Sequence, residues 1–313
     1  MRQTILGAGG SIGIELAKAL KQYTSDIRLV SRNPEKINES DTILPADLTK
    51  KEDVFKAVEG SDIVYVTIGF PYKIKIWKQV WVPFMRNVIA ACIEYNSKLV
   101  FFDNVYAIGA NHVGHITEES PLSPTSKKGD IRAEIDRMIL DGIENNKLNA
   151  ILARAPDFFG GTAKANSIVI NLVYDNLIKG KKAQWFCNSK VVHSLGYVPD
   201  LAKGTAVLGN TPEAFNQIWN LPTDQQRITG EEWINLFASS MGTKNKYMVL
   251  PNWLIKSMGF FIPIMKELAE MNYQYDRDYY FDCTKFNTYF DYKPTPNAIA
   301  VKQAIEQLRI IDR

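Results

Sequence analysis

The first half of the chain alternates short apolar segments with amphipathic ones, and this order strongly limits the possible folds. The apolar segments have the length and composition of buried strands: "QTILGA", "DIRLVS", "DIVYVTIG" and "KLVFFD". The segments between them have helical periodicity: "SIGIELAKALKQY", "KKEDVFKAVEG" and "KQVWVPFMRNVIAACIEY". Strands that alternate with helices are typical of a parallel sheet covered by helices on both faces. We therefore predict an α/β fold with a doubly wound parallel sheet.

A glycine-rich turn follows the first predicted strand. In "ILGAGGSIG", Gly7, Gly10 and Gly13 lie between the end of that strand and the start of a helix. Glycines at such a turn let the backbone approach a pyrophosphate, and the helix N-terminus presents free N–H groups to the anion. The motif alone is common, but its position between strand and helix predicts a dinucleotide site. Ser11 and Ile12 belong to the same predicted site.

The end of the second strand indicates which dinucleotide is bound. An NAD site usually has an acidic residue here for the ribose hydroxyls, whereas this chain has Ser31 and Arg32. A hydroxyl and a guanidinium suit a 2′-phosphate, so we predict NADP in preference to NAD. Further cofactor contacts are predicted at the ends of the third and fourth strands: Asp47, Leu48, Ile68 and Gly69.

Composition excludes several classes of function. The chain has 313 residues and a net charge of +3, which is too weak to indicate binding to nucleic acid. Its three cysteines form no CxxC pattern and its three histidines offer no complete ligand set, so we predict a reducing, cytoplasmic location and no metal site.

The longest apolar stretch, residues 248–268, is interrupted by two prolines and two lysines. It contains no uninterrupted run of about 20 apolar residues, which a membrane span requires, and we interpret it as buried helices or the wall of a pocket. A peripheral membrane contact remains an alternative.

A helix is predicted over residues 123–145, with Ser123 as N-cap and Pro124 at the first helical position. Lys128 and Arg132 lie within about 40° of each other on a helical wheel, inside the stripe of isoleucines that should face the core. We therefore expect both side chains to point inward. The alternative is that they lie at the edge of a core face with their charged ends in water.

Five motifs in this order resemble the extended short-chain dehydrogenase/reductase superfamily, in its NAD-dependent epimerase/dehydratase branch. They are GxxGxxG, "ADLT", "ARAPDFFGG", "YVPDLAKG" and "DCTKFNTYFDYKPTP". The resemblance implies a Rossmann domain over 1–160 and a smaller α+β substrate-binding lobe over 161–313, some of whose segments return to the Rossmann core. It also places Asp291 where the family usually has glycine, which predicts a left-handed turn residue.

The catalytic motif departs from the family pattern. The family has YxxxK on this helix, with the tyrosine exchanging a proton and the lysine holding the nicotinamide ribose; here Lys128 and Arg132 occupy the two positions. Asn104 stands about where the family has serine or threonine. Arg132 can still reach the cofactor, but arginine does not titrate, so Lys128 and Tyr106 are the candidate proton donors.

Three functions remain open from the sequence. The first is an NADP-dependent oxidoreductase acting on a small carbonyl, alcohol or activated alkene. The second is a nucleotide-sugar epimerase or dehydratase, and the third is a redox-inactive NADP-binding sensor. We expect a small-molecule substrate, no nucleic acid partner, no membrane span and a possible homodimer.

Overall fold

The computed structural model describes residues 1–312. The strands are β1 Gln3–Leu6, β2 Ile27–Ser31, β3 Thr42–Pro45, β4 Ile63–Val66, β5 Lys98–Asn104, β6 Ala150–Ala155, β7 Phe158–Phe159, β8 Ala183–Phe186, β9 Gly196–Tyr197, β10 Gln217–Asn220 and β11 Tyr247–Leu250. The α-helices are α1 Ser11–Leu20, α2 Lys51–Val58, α3 Ile74–Glu94, α4 Lys127–Glu144, α5 Asp175–Ile178, α6 Val198–Gly209, α7 Gly230–Met241, α8 Asn252–Met258, α9 Pro263–Ala269, α10 Thr284–Tyr289 and α11 Asn297–Ile311.

The chain divides into two compact units. The first unit comprises residues 1–107, 128–155 and 201–221, and the second comprises residues 108–127, 156–200 and 222 onward. The first unit thus includes one segment from the C-terminal half of the chain, residues 201–221.

The first unit contains a seven-stranded sheet in the order β10-β6-β5-β4-β1-β2-β3. Every pair of neighbours in it is parallel. All residues of β1 and β4 are buried, as expected for strands covered on both faces. The predicted doubly wound Rossmann-type sheet is confirmed. The strand order reverses between β1 and β4, which is where ligands bind in open parallel sheets.

The second unit has its own core and two short parallel strand pairs, β11-β8 and β7-β9. Side chains from α7, α11 and β8 fill this core, including Phe237, Ile305 and Trp185. Helix α7 begins with a capping box, in which the Thr229 hydroxyl accepts from the Glu232 N–H, and Gly242 ends the helix at φ +68°. Asp291 has φ +45°, which confirms the predicted left-handed turn.

Helix α4 begins later than the sequence predicts. It starts at Lys127, so the predicted N-cap Ser123 and first-turn Pro124 are wrong. Residues 121–126 instead lie outside the helix, where the Ser123 carbonyl lies against Gly109 and the Thr125 hydroxyl accepts from the Ala110 N–H.

The apolar stretch 248–268 forms β11, α8 and α9, and part of it is not buried. Trp253, Phe260 and Phe261 are 68%, 87% and 88% exposed, so the prediction of buried helices is wrong at these positions. Local backbone hydrogen bonds order the turn between the two helices and leave the phenylalanines outside the core. Among residues 1–312 no helix is both long and apolar enough to cross a membrane.

Candidate active site

The glycine-rich turn lies where the carboxyl ends of β1 and β4 meet. Gly7 has φ +101°, a conformation that residues with a side chain rarely adopt. A Cβ there would lie 2.5 Å from the backbone of Ile68, which follows β4. A Cβ at Gly13 would lie 2.6 Å from the Gly7 carbonyl oxygen, so this position also requires glycine. The two glycines allow α1 to begin directly at the end of β1.

The N-terminus of α1 has the properties of an anion site. Gly10 precedes its first residue, Ser11, and no side chain caps the helix. The first turn contains no acidic residue that would oppose a bound phosphate. A Cβ at Gly10 would be 3.3 Å from the Gly7 carbonyl oxygen, and one at Gly9 would meet no heavy atom within 4 Å. This turn and helix fit a pyrophosphate approaching the backbone.

The neighbouring strand ends carry the residues predicted to choose between NAD and NADP. Ser31 is the last residue of β2, and the Arg32 side chain beside it is exposed. Asp47 follows β3, and hydrogen bonds from the Thr49 side chain and backbone lower its pKa, with a further contribution from the Arg32 charge. Leu48 is buried in the core, whereas Gly69 is exposed.

Lys128 is completely buried, which confirms that it points inward. Its ammonium lies 4.4 Å from the centroid of the Tyr72 ring, within the range of a cation–π interaction. Burial and the contact with the Tyr72 ring therefore restrict the Lys128 side chain in the first turn of α4.

Arg132 is also buried and is held by a carboxylate. Its Nε donates to Asp103 Oδ1 at 2.7 Å, and a second guanidinium nitrogen forms an ion pair with the same oxygen. The guanidinium carbon lies 4.4 Å from the Trp81 ring centroid and 4.8 Å from that of Phe101. The alternative of a charged end in water is therefore wrong for Arg132. Its predicted contact with the cofactor stays a prediction.

Two further buried charged residues lie beside this pair. Asp136 follows Arg132 by one helical turn, and its carboxyl lies 3.5 Å from Arg154 of β6. Burial raises the pKa of Asp136 well above its ordinary value, and the nearby Asp103 carboxylate raises it further. Within residues 1–312, Asp103 Oδ2 and both carboxyl oxygens of Asp136 are buried without a hydrogen-bond partner. No motif in the sequence pointed to Asp103, Asp136 or Arg154.

Asn104 and Tyr106 lie on the loop after β5. The Asn104 side-chain oxygen accepts from the Tyr106 N–H at 2.9 Å, so this side chain shapes the loop. Tyr106 is half-buried, its ring stacks on Trp77, and its hydroxyl is 3.3 Å from that of Tyr72. Tyr72 in turn lies under the Lys128 ammonium. Tyr106 and Lys128 thus both contact Tyr72, the first through its hydroxyl and the second through its ring.

The second unit contains a separate polar cluster around Asp157. Its carboxylate accepts from the Tyr275 hydroxyl at 2.6 Å and lies 3.3 Å from His193 Nε2. The His193 ring stacks between Tyr275 and Tyr279, at centroid distances of 4.4 and 4.8 Å. His193 is one of the three histidines that offer no complete set of metal ligands in the sequence. In the part of the chain that the structure describes, no cluster of three or more His, Cys, Asp or Glu side chains could hold a metal ion.

Comparison with solved structures supports the fold. The UDP-glucuronic acid 4-epimerase from Bacillus cereus in complex with NAD has a TM-score of 0.81 and 14% identity, and all of both chains is covered. The dTDP-glucose 4,6-dehydratase from Streptomyces venezuelae with NAD bound has a TM-score of 0.80 and 14% identity, covering 99% of this chain and 97% of that one. The UDP-glucose 4-epimerase from Thermus thermophilus in complex with NAD has a TM-score of 0.78 and 15% identity, covering 99% of each chain.

Comparison with family models identifies the family of the chain, whereas the solved structures show only its fold. No curated protein matches the chain. The model of the NAD dependent epimerase/dehydratase family matches residues 4–221, which include the glycine-rich turn, Lys128 and Arg132. This match covers more than half of the sequence and agrees with the resemblance carried by the motifs. The chain therefore belongs to the NAD-dependent epimerase/dehydratase family, a family of nicotinamide-dinucleotide-dependent enzymes.

Proposed function

We propose that this chain is an NADP-dependent enzyme of the epimerase/dehydratase type that acts on a nucleotide-linked sugar. The observation that carries the proposal is the glycine-rich turn at the ends of β1 and β4, where Gly7 and Gly13 exclude side chains and α1 presents its N-terminus. The nucleotide-sugar substrate is supported by family membership and by the similar structures, which are enzymes of UDP- and dTDP-sugars.

The chain's own residues would hold the cofactor at several points. Gly10 and the N-terminus of α1 would bind the pyrophosphate, while Ser31 and Arg32 would bind the 2′-phosphate. When bound, the nicotinamide supplies hydride transfer. Tyr106 is our candidate for moving the proton at the substrate oxygen, because its side chain is half-buried whereas Lys128 is completely buried. We assign Lys128 a positioning role through Tyr72.

Cofactor preference provides the first test. NADP(H) should bind at least about tenfold more tightly than NAD(H), equivalent to roughly 1.4 kcal/mol, because Arg32 is exposed and can form charge-assisted bonds with a phosphate. Replacing Arg32 with alanine should remove this preference and leave NAD affinity unchanged. Titration calorimetry with both cofactors measures the effect.

The matched control is Arg86→Ala, which removes an exposed arginine from α3. It should leave both affinities unchanged. Equal affinities in the unaltered protein, or an Arg32→Ala variant that still prefers NADP, would contradict the assignment of the 2′-phosphate site.

The proton donor is tested by kinetics on a panel of UDP- and dTDP-sugars with chromatographic analysis of the products. Tyr106→Phe should lower kcat by about 100-fold or more and leave NADP affinity unchanged, because it removes only the titrating hydroxyl. Lys128→Met keeps the length of the side chain and should lower kcat less, with a changed pH profile. Tyr72→Phe removes the hydroxyl that contacts Tyr106, so it should also lower kcat, but less than Tyr106→Phe, because the Tyr106 hydroxyl remains.

A larger loss of kcat in Lys128→Met than in Tyr106→Phe would move the proton-transfer role to the lysine. If neither substitution affects the rate, the acid–base assignment is wrong.

A second candidate is a net oxidoreductase acting on a small carbonyl, alcohol or activated alkene. The observation in its favour is Lys128 at the position where the family has the tyrosine on which epimerases and dehydratases depend. Stoichiometric oxidation of NADPH by carbonyl compounds, without conversion of any nucleotide sugar, distinguishes this function. NADP binding without turnover of either substrate class supports the redox-inactive sensor instead. A cytoplasmic location and a homodimer remain predictions.

A further inference from the structure

The second unit carries an apolar surface at the turn between α8 and α9. We call it the 253–264 surface, and its exposed apolar side chains are Trp253, Phe260, Phe261, Ile262 and Ile264. Phe260 and Phe261 have the largest exposed fractions of any phenylalanine in residues 1–312. Exposed apolar side chains grouped in one short segment in this way indicate a site of interaction with another surface.

The turn that presents these side chains is ordered by its own backbone. The Phe260 N–H donates to the Ser257 carbonyl, and the N–H groups of Phe261 and Ile262 donate to the Met258 carbonyl at 3.0 and 2.8 Å. Gly259 lies close to α9, because a Cβ there would be 3.0 Å from the Cα of Lys266. The backbone therefore fixes the turn, and the two phenylalanine side chains extend from it.

Charge on this segment is distributed unevenly. Within residues 251–270 the exposed charged side chains are Lys256 and Lys266, both positive. The two acidic residues, Glu267 and Glu270, are half-buried, and the Glu270 carboxylate accepts from the Lys127 N–H. The exposed apolar and charged side chains of α8, α9 and the turn between them are thus apolar or positively charged. A partner that matches it must combine an apolar interior with negative charge at its surface.

We propose that the 253–264 surface binds peripherally to a membrane that contains anionic lipids. Phe260, Phe261 and Ile262 enter the boundary between headgroups and acyl chains, and Trp253 lies at the headgroup level, which amphipathic aromatic rings favour. Lys256 and Lys266 contact the anionic headgroups, and each such contact adds to the affinity. The protein is held at the lipid surface without a membrane-spanning segment.

The position of the tryptophans makes the proposal directly measurable. Of the six tryptophans, Trp253 is exposed, whereas Trp77, Trp81, Trp185, Trp219 and Trp233 are buried. Vesicles of phosphatidylcholine with phosphatidylglycerol should shift the fluorescence of the full-length protein to the blue, and brominated lipid should quench it. Trp253→Phe should remove both signals and leave cosedimentation with the vesicles within about twofold.

Two sets of variants separate the apolar and the cationic contributions in cosedimentation with the same vesicles. Phe260→Ser with Phe261→Ser should weaken binding at least tenfold, because the inserted side chains are lost. Lys256→Gln with Lys266→Gln should weaken binding to the mixed vesicles about tenfold and should not change binding to phosphatidylcholine alone.

The matched control is Ile310→Ser with Ile311→Ser, which removes another adjacent pair of exposed apolar residues, 71% and 56% exposed. It should bind vesicles like the unaltered protein. All variants should keep their unfolding temperature, because each replaced side chain is exposed.

Absence of binding to the mixed vesicles, or unchanged binding by the Phe260→Ser, Phe261→Ser variant, would overturn the proposal. A concentration-dependent dimer that this variant abolishes would assign the surface to a second copy of the chain and would overturn the proposal as well. If Phe260→Ser, Phe261→Ser does not fold, the quenching of Trp253 by brominated lipid in the unaltered protein decides the question. Each of these measurements is independent of cofactor binding and turnover, so they do not depend on the proposed function.

Discussion

Replacing Asp103 with asparagine should lower the free energy of unfolding by about 3 to 5 kcal/mol, because it removes the carboxylate that is hydrogen-bonded to the buried Arg132 guanidinium. Both side chains of the pair are almost completely inaccessible to water, so solvent cannot compensate for the loss. The surrounding rings of Trp81 and Phe101 offer only the partial negative charge of their faces. Chemical denaturation at neutral pH measures the difference.

Asp136→Asn is the matched comparison, since it makes the same change one helical turn from Arg132. This substitution should lower the free energy of unfolding much less, because burial and the neighbouring Asp103 raise the pKa of Asp136 and favour its neutral form. The folded state then holds a proton that the unfolded state releases above about pH 4, so this group lowers stability as pH rises from that value. The asparagine variant should lose that part of the pH dependence.

A double variant tests whether the cost of the single change comes from the unpaired charge. Asp103→Leu with Arg132→Met removes both members of the pair and should recover most of the stability lost in Asp103→Asn. If the free energy of unfolding of the Asp103→Asn variant lies within about 1 kcal/mol of that of the unaltered protein, the ion pair does not stabilise the first unit in the way described.

Replacing Gly10 with valine should reduce NADP affinity by roughly 100-fold or more, about 2.7 kcal/mol, while the protein stays folded. The added Cβ would lie 3.3 Å from the nearest backbone atom, so the turn can accommodate it with small shifts. The branched side chain would nevertheless extend into the space that a pyrophosphate needs at the N-terminus of α1. Calorimetry gives the affinity, and thermal unfolding gives the stability.

Gly114→Val is the control, because a Cβ at this exposed glycine of the second unit would lie 3.8 Å from its nearest neighbour. Affinity and stability should both be unchanged by it. A folded Gly10→Val variant that binds NADP normally would show that the glycine-rich turn serves only the packing of α1 against β1.

The sheet and the nucleotide site were predictable because their signals are local. The apolar segments that became β1 and β4 are short, continuous and bounded by turn residues, which identifies buried strands without knowledge of their neighbours. The glycine spacing likewise reflects geometry within residues 7–13, where the close approaches at Gly7 and Gly13 arise. Helical periodicity was sufficient to place Lys128 and Arg132 on the inward face of α4.

The partners of those two side chains were not predictable, since they come from distant parts of the chain. Asp103 precedes Arg132 by 29 residues and meets it only because α4 lies on β5. One local signal was available: Asp103 directly follows the apolar residues 99–102 of β5, and a buried carboxylate requires a partner. The start of α4 was misplaced for a related reason, because the carboxylate that accepts from its first N–H belongs to Glu270, 143 residues away.

The return of residues 201–221 to the first unit has a consequence for synthesis of the protein. Strand β10 pairs with β6 and supplies the last strand of the seven-stranded sheet. Until residue 221 has left the ribosome, β6 presents unpaired N–H and C=O groups along one edge, and such an edge can pair with another chain. While the second unit's segment 156–200 is being translated, this edge of β6 therefore lacks its native partner strand.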